Sequence, residues 1–152
     1  MTAPIYNEVT TMVDVRTRTA VQQAAAGVGA VFALVGVLGF IPGITTNFDT
    51  ITFAGHHSEA MLLGIFNVSI LHNIVHLLFG VAGLLAGRTA SGARAYLIGG
   101  GAIYLVLWLY GLVIDKTSAA NFVPLNTADD WLHFVLGLAM IGLGVGLARR
   151  VR

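Results

Sequence analysis

The sequence predicts an all-α, polytopic transmembrane four-helix bundle, and three observations carry that expectation. Of 152 residues, 57% are hydrophobic and only 10% are charged, whereas soluble domains carry roughly a quarter charged residues. Four stretches, 20–41, 60–87, 95–114 and 131–148, contain no Asp, Glu, Lys or Arg. Glycine is in excess: there are 19, and sixteen of them fall within those stretches. Each stretch approaches or exceeds the ~20 residues that a helix rising ~1.5 Å per residue needs to cross a ~30 Å hydrocarbon core.

Residues 1–19 are polar and mixed in charge, which suits a cytoplasmic N-terminal tail, loose or lying as a short helix on the membrane. The first span, 20–41, stops at Ile41-Pro42-Gly43, because proline disfavours helical geometry in the residue before it and glycine leaves a helix freely. It is too long for the h-region of a signal peptide, and no small-residue cleavage site follows it. The second span, 60–87, is longer than the bilayer needs, so its outer turns are expected to project. The third, 95–114, carries Gly99-Gly100-Gly101, which inside an apolar span reads as a packing device and not a phosphate cradle. The fourth, 131–148, leaves 149–152 as a second cytoplasmic tail, and the loops at 42–59 and 115–130 are too short for separate domains.

Arg16, Arg18, Arg88, Arg94, Arg149, Arg150 and Arg152 fall on one side of these spans. Lys116 stands on the other, with Asp49, Glu59, Asp115, Asp129 and Asp130. The positive-inside rule then places both termini in the cytoplasm and the chain, multi-pass, in the inner (plasma) membrane. Trp108, Tyr110 and Trp131 lie near the outer span ends, where they suit either the interface or helix packing. A net charge of +1 gives no basic field for nucleic acid, and the absence of cysteine removes disulfides and thiolate sites.

His76, Gly80 and Gly87 recur at identical spacing as His133, Gly137 and Gly144, and Gly29-Ala-Val-Phe echoes Gly101-Ala-Ile-Tyr. Spans two and four run in the same direction, so two parallel helix-pair repeats are one expectation and chance resemblance between glycine-rich helices the other. At ~100° per residue, His72, Asn73, His76 and Ser69 share a face about 100° wide with Gly80, Gly83 and Gly87, while Asn67 points elsewhere. On the fourth span, Asp130, Gly137 and Gly144 lie within about 60° of His133. Small residues let backbones approach closely in lipid, Gly83 and Gly87 forming a small-xxx-small motif. His72 stands sixteen residues above Arg88 and His133 sixteen above Arg149, which makes them level. One polar cluster of His72, Asn73, His76, Asp130 and His133 is therefore expected in the outer part of the core.

Such a cluster serves as hydrogen-bonded interhelical glue or as a ligand or proton site, since intramembrane ionisable groups are functional candidates by default. Haem b or a metal ion is the sharper alternative, because bundle cores host cofactors and imidazoles ligate haem iron. His72 and His76 share one helix, so bis-histidine ligation would have to involve His133. His56-His57-Ser58-Glu59 with Asp49 offers zinc or copper donors, but an adjacent pair lacks the familiar ligand spacing; a helix-entry segment capped by Ser58 is the competing reading. No GxSxG, HExxH or phosphate-binding loop occurs.

The strings Leu71-His-Asn-Ile-Val-His-Leu-Leu-Phe-Gly80 and Pro124-Leu-Asn-Thr-Ala-Asp-Asp-Trp-Leu-His-Phe-Val-Leu-Gly137 resemble the hallmarks of a family of small actinobacterial four-helix membrane proteins catalogued only as a domain of unknown function. The resemblance runs over 20–148. It implies marked positions at His72, Asn73, His76 and Gly80, and at Asn126, Asp129, Asp130, His133 and Gly137. The family's second acid is more often asparagine, so Asp130 departs from the pattern and puts the charge state of the cluster in question. The resemblance implies a topology and no activity. The expected function is a non-enzymatic structural or accessory component in contact with the lipid bilayer and with a larger membrane complex or further copies of itself. No cofactor and no nucleic-acid partner is predicted. The rival is a small haem-, metal- or ligand-binding redox module using His72, His76 and His133. A proton or solute path is a third reading, opposed by the apolar inner half of every span.

Overall fold

The apolar stretches form four helices in the computed structural model, which describes residues 18–147: α1 (Ala20–Leu38), α2 (Ile70–Ala86), α3 (Ala90–Val113) and α4 (Thr127–Gly146). The readings made for residues 1–17 and 148–152 lie outside the described residues. Three helices, α1, α3 and α4, are long and apolar enough to cross a membrane. The fourth, α2, has 17 residues, or ~26 Å at ~1.5 Å per residue.

α2 corrects the sequence reading most, because it begins at Ile70 and not at residue 60. The chain turns sharply at Leu63 and Gly64, which take φ of 55° and 69°. That turn folds β2 (Met61–Leu62) antiparallel onto β3 (Phe66–Asn67), and β1 (Thr45–Thr46) pairs with the other edge of β2. No helical turns project here. Ser69 starts α2 by accepting a hydrogen bond from the His72 amide at 3.1 Å, so it is a cap and not a member of a helix face. Ser58 caps nothing: it is buried and donates to the Val68 carbonyl at 2.5 Å.

The other boundaries shift for similar local reasons. α1 ends at Leu38, before Ile41-Pro42-Gly43, and its last turn passes to Gly39. α3 begins at Ala90, where Thr89 Oγ1 accepts from the Gly92 amide at 3.1 Å, and it takes Arg94 into the helix. α4 begins at Thr127, because Asn126 and Asp129 form a reciprocal cap: Asn126 Oδ1 accepts from the Asp129 amide at 2.9 Å and Asp129 Oδ2 from the Asn126 amide at 3.0 Å. In the loop before it, Asn121 is 2% exposed. It donates to the Lys116 and Leu125 carbonyls and accepts from the Leu125 amide. The exposed Asp115 carboxyl is held below the usual carboxylate range by hydrogen bonds from the Thr117 amide and hydroxyl.

α1 packs chiefly on α2, and α3 on α4. Glycine makes both seams close. A Cβ added at Gly29 would lie 2.8 Å from the Gly80 carbonyl oxygen, and one at Gly101 would lie 2.7 Å from that of Gly137. Gly83 lies between Tyr96 of α3 and Gly29 of α1, Gly87 lies against Gln22 and Ala26 of α1, and Gly144 lies against Leu97 and Ile98 of α3. Between the pairs sits a core of Val21, Ala25, Phe32, Ala93, Leu97, Tyr104 and Met140. A second cluster, Ala60, Leu62 and Val68 with Val35 and Leu38 of α1, seats the hairpin on the helix ends. At the opposite end, Gln22 Nε2 donates to the Gly87 and Arg88 carbonyls at 3.2 and 2.9 Å and ties α1 to the tight α2–α3 turn. Outward faces are apolar: Leu34, Leu78, Val106 and Val135 are each more than half exposed, as suits side chains that meet lipid. Trp108 packs on Phe134, whereas Trp131 is 57% exposed at the loop end.

Candidate functional site

The polar side chains of α2 and α4 converge at the loop end, under the hairpin. His72, His76 and His133 line one cavity of about 110 Å³ with Asp129. All four are buried. Helical periodicity accounts for the convergence: His72 and His76 are one turn apart on α2, and Asp129 and His133 one turn apart on α4. The rings of His72 and His76 meet edge to face at 4.3 Å. Phe32 of α1 braces His76 at 5.6 Å, and Tyr104 of α3 braces His133 at 5.1 Å.

Much of the polar capacity is spent on the hairpin. His72 Nδ1 donates to the Asn67 carbonyl at 3.1 Å, and Asp129 Oδ2 accepts from the Asn67 amide at 3.2 Å. Asn126 Nδ2 adds a bond to the Ile65 carbonyl at 2.7 Å. One residue of β3 is thus held from both α2 and α4. His76 Nδ1 donates to the His72 carbonyl one turn back at 3.0 Å.

Two members of the expected cluster lie elsewhere. Asn73 faces α1, with its side chain over Gly39, and its Nδ2 has no partner among the described residues. Asp130 faces α3, over Gly111, where its Oδ2 pairs with Lys116 Nζ at 2.6 Å. Lys116 also donates to the Gly111 carbonyl at 2.8 Å, closing the end of α3. At ~100° per residue Asp129 and Asp130 flank His133 on opposite sides, so the carboxylate of the cavity is Asp129. The signal for it was the Asn126-x-x-Asp129 spacing of a reciprocal cap.

Gly80, Gly83, Gly87, Gly137 and Gly144 all lie in the seams. In the first long loop, the His56 and His57 rings contact each other at 3.9 Å, and among the described residues no group of three or more His, Asp or Glu is arranged around a metal-sized point. A porphyrin does not fit: His72 and His76 are too close to hold one between them, and about 110 Å³ leaves no room for one beside His133.

Fold and site together define a class: a small protein of four apolar helices, three of them long enough to cross a membrane, with a histidine and aspartate cluster beneath a loop cap. The family model described as "Domain of unknown function (DUF4383)" matches residues 22–146, and the chain belongs to that family. No curated protein and no solved structure matches it.

Proposed function

We propose that this is a multi-pass protein of the cytoplasmic membrane with both termini inside, a non-enzymatic accessory component built from two parallel helix pairs. The observation that carries the accessory reading is the double hold on Asn67. The most conspicuous polar groups, His72 and Asp129, are occupied in fixing an outer cap in a defined position, as suits a surface presented to another membrane protein. The seven arginines on one side support the orientation.

The pairing of helices supports the repeat. At one constant offset, the buried positions His72, Asn73, His76, Gly80 and Gly83 of α2 correspond to Asp129, Asp130, His133, Gly137 and Met140 of α4. At another, Val21, Ala25, Gly29 and Phe32 of α1 correspond to Ala93, Leu97, Gly101 and Tyr104 of α3. Even the cap residues correspond, Ser69 with Asn126. A pseudo-two-fold axis along the membrane normal accounts for all of these.

Purification in mild detergent tests the function. A colourless chain recovered in a larger membrane complex by native mass spectrometry supports it, and a Soret band lost in His133→Ala overturns it. Alkaline phosphatase and green fluorescent protein fusions after residue 152 test the orientation: fluorescence without phosphatase activity is expected.

A further inference from the structure

The cavity has chemistry that the cap does not use. We propose that it binds the hydroxyl-bearing head of a lipophilic molecule, a phenol or alcohol, entering from the bilayer. This goes beyond the accessory role and rests on the reading that the helices span a membrane.

The hydrogen-bond inventory fixes what the ligand must bring. A backbone carbonyl only accepts, so Nδ1 of His72 and of His76 carries the proton in the bonds to Asn67 and His72. In the neutral imidazole that leaves Nε2 of each ring as a lone-pair acceptor. His133 adds a third imidazole, with one donor and one acceptor nitrogen in its neutral form; its buried Nδ1 has no partner among the described residues. Asp129 Oδ2 is already committed to the Asn126 and Asn67 amides. The cavity therefore presents more acceptors than donors, in surroundings that are otherwise apolar, including Val35, Leu132 and Leu136. A ketone, ether or ester could use only the one N–H of His133 and would leave the acceptors of His72 and His76 unmatched. A neutral hydroxyl donates one hydrogen bond and leaves its carbon body to the aliphatic wall.

Size and access specify the rest of the molecule. A water needs ~10–15 Å³ of such space, so a cavity of about 110 Å³ is the size of a head group and not of a whole lipid. Its lining includes Leu63 of the hairpin turn and Leu132 of α4, which are 61% and 38% exposed. These side chains are continuous with the apolar outward face of α4, where Val135 and Leu138 are exposed. α1 and α4 touch only briefly, in contrast to the tight seams elsewhere. An apolar tail leaving the cavity past Leu63 and Leu132 thus enters the lipid without crossing water.

Saturation binding of 4-octylphenol to the full chain in lipid nanodiscs, with empty nanodiscs as the blank, tests this, and 4-octylanisole, its methyl ether, is the matched probe without the donor. The expected result is one saturable site per chain for the phenol and binding at least about tenfold weaker for the ether, the scale of one hydrogen bond lost at a buried site. In His76→Phe, which keeps an aromatic ring and removes an acceptor, the gap between the probes should narrow severalfold. Equal binding of the two probes by the unaltered protein overturns the proposal, as does no saturable binding of either. Failure of the chain to enter nanodiscs would instead overturn the membrane reading.

Discussion

The rings of Phe32 and Tyr104 stack with centroids 5.3 Å apart and planes 17° from parallel, one from each helix pair. Each then touches the histidine of its own pair, Phe32 meeting His76 and Tyr104 meeting His133. The four rings form a continuous aromatic bridge through the core, from α2 by way of α1 and α3 to α4. Aromatic pairs in such geometries gain about 0.5–1.5 kcal/mol beyond burial, so this bridge adds to the buried core through which the two halves meet.

Phe32→Ala should therefore cost roughly 3–5 kcal/mol, the usual scale for deleting a buried phenylalanine. It should also separate the helix pairs. Unfolding by sodium dodecyl sulfate in mixed micelles measures the first, and spin-label distances between α1 and α3 the second. A loss under about 1 kcal/mol would mean that the stack contributes no more than a surface contact.

Glycines in the seams should tolerate no side chain, and glycines outside them should. A Cβ at Gly80 would approach the Ala33 amide nitrogen to 2.5 Å, whereas one at Gly27 or Gly99 meets nothing within 4 Å. Gly80→Ala and Gly101→Ala should lower the unfolding midpoint in detergent. Gly27→Ala and Gly99→Ala should leave it unchanged or raise it, by up to ~1 kcal/mol from helix propensity. Equal behaviour of the two sets would remove close approach as the reason for the glycine excess.

Asp129→Ala should release the hairpin without unfolding the helices. The substitution removes the acceptor for the Asn67 and Asn126 amides and leaves the His72 bond to Asn67 in place. Hydrogen exchange resolved by mass spectrometry should then rise over 61–68 and over the first turn of α4, with little change at 93–104. Unchanged exchange over 61–68 would show that apolar packing of Leu62 and Val68 alone holds the cap.

Lys116→Met should destabilise by about 1–3 kcal/mol, the range for a charged group left without its hydrogen-bond partner. Asp130 is 4% exposed, Lys116 bonds its Oδ2, and its Oδ1 has no partner among the described residues. The double variant Lys116→Met/Asp130→Asn should recover most of that loss, because no charge is then left buried alone. Melting of the single and double variants in detergent checks the difference, and a double variant no better than the single would rule out the ion pair as the cause.

Much of the fold was legible because it follows from solubility and periodicity. Charge-free stretches located all four helices, and the placement of Gly80, Gly137 and His133 on inward faces followed from ~100° per residue. The start of α2 was not legible from hydropathy. Residues 60–69 are as apolar as the helix that follows, and an apolar run does not say whether its backbone bonds close within the segment or across a turn. Gly64 and Ser69 were the available marks of a turn and a cap.

The candidate site divides in the same way. By itself the sequence determined that the chain has long apolar helices, that His72, His76 and His133 lie on inward faces, and that glycine lets helices approach, because each depends on composition or on the period of a single helix. Which neighbour each inward residue meets is a property of the assembled helices. Only the tertiary structure gave Asp129 to the cavity and Asp130 to Lys116, and stacked Phe32 on Tyr104. A rotation of ~100° between adjacent positions sends consecutive carboxylates to different helices, and the packed seams decide which helix waits on each side.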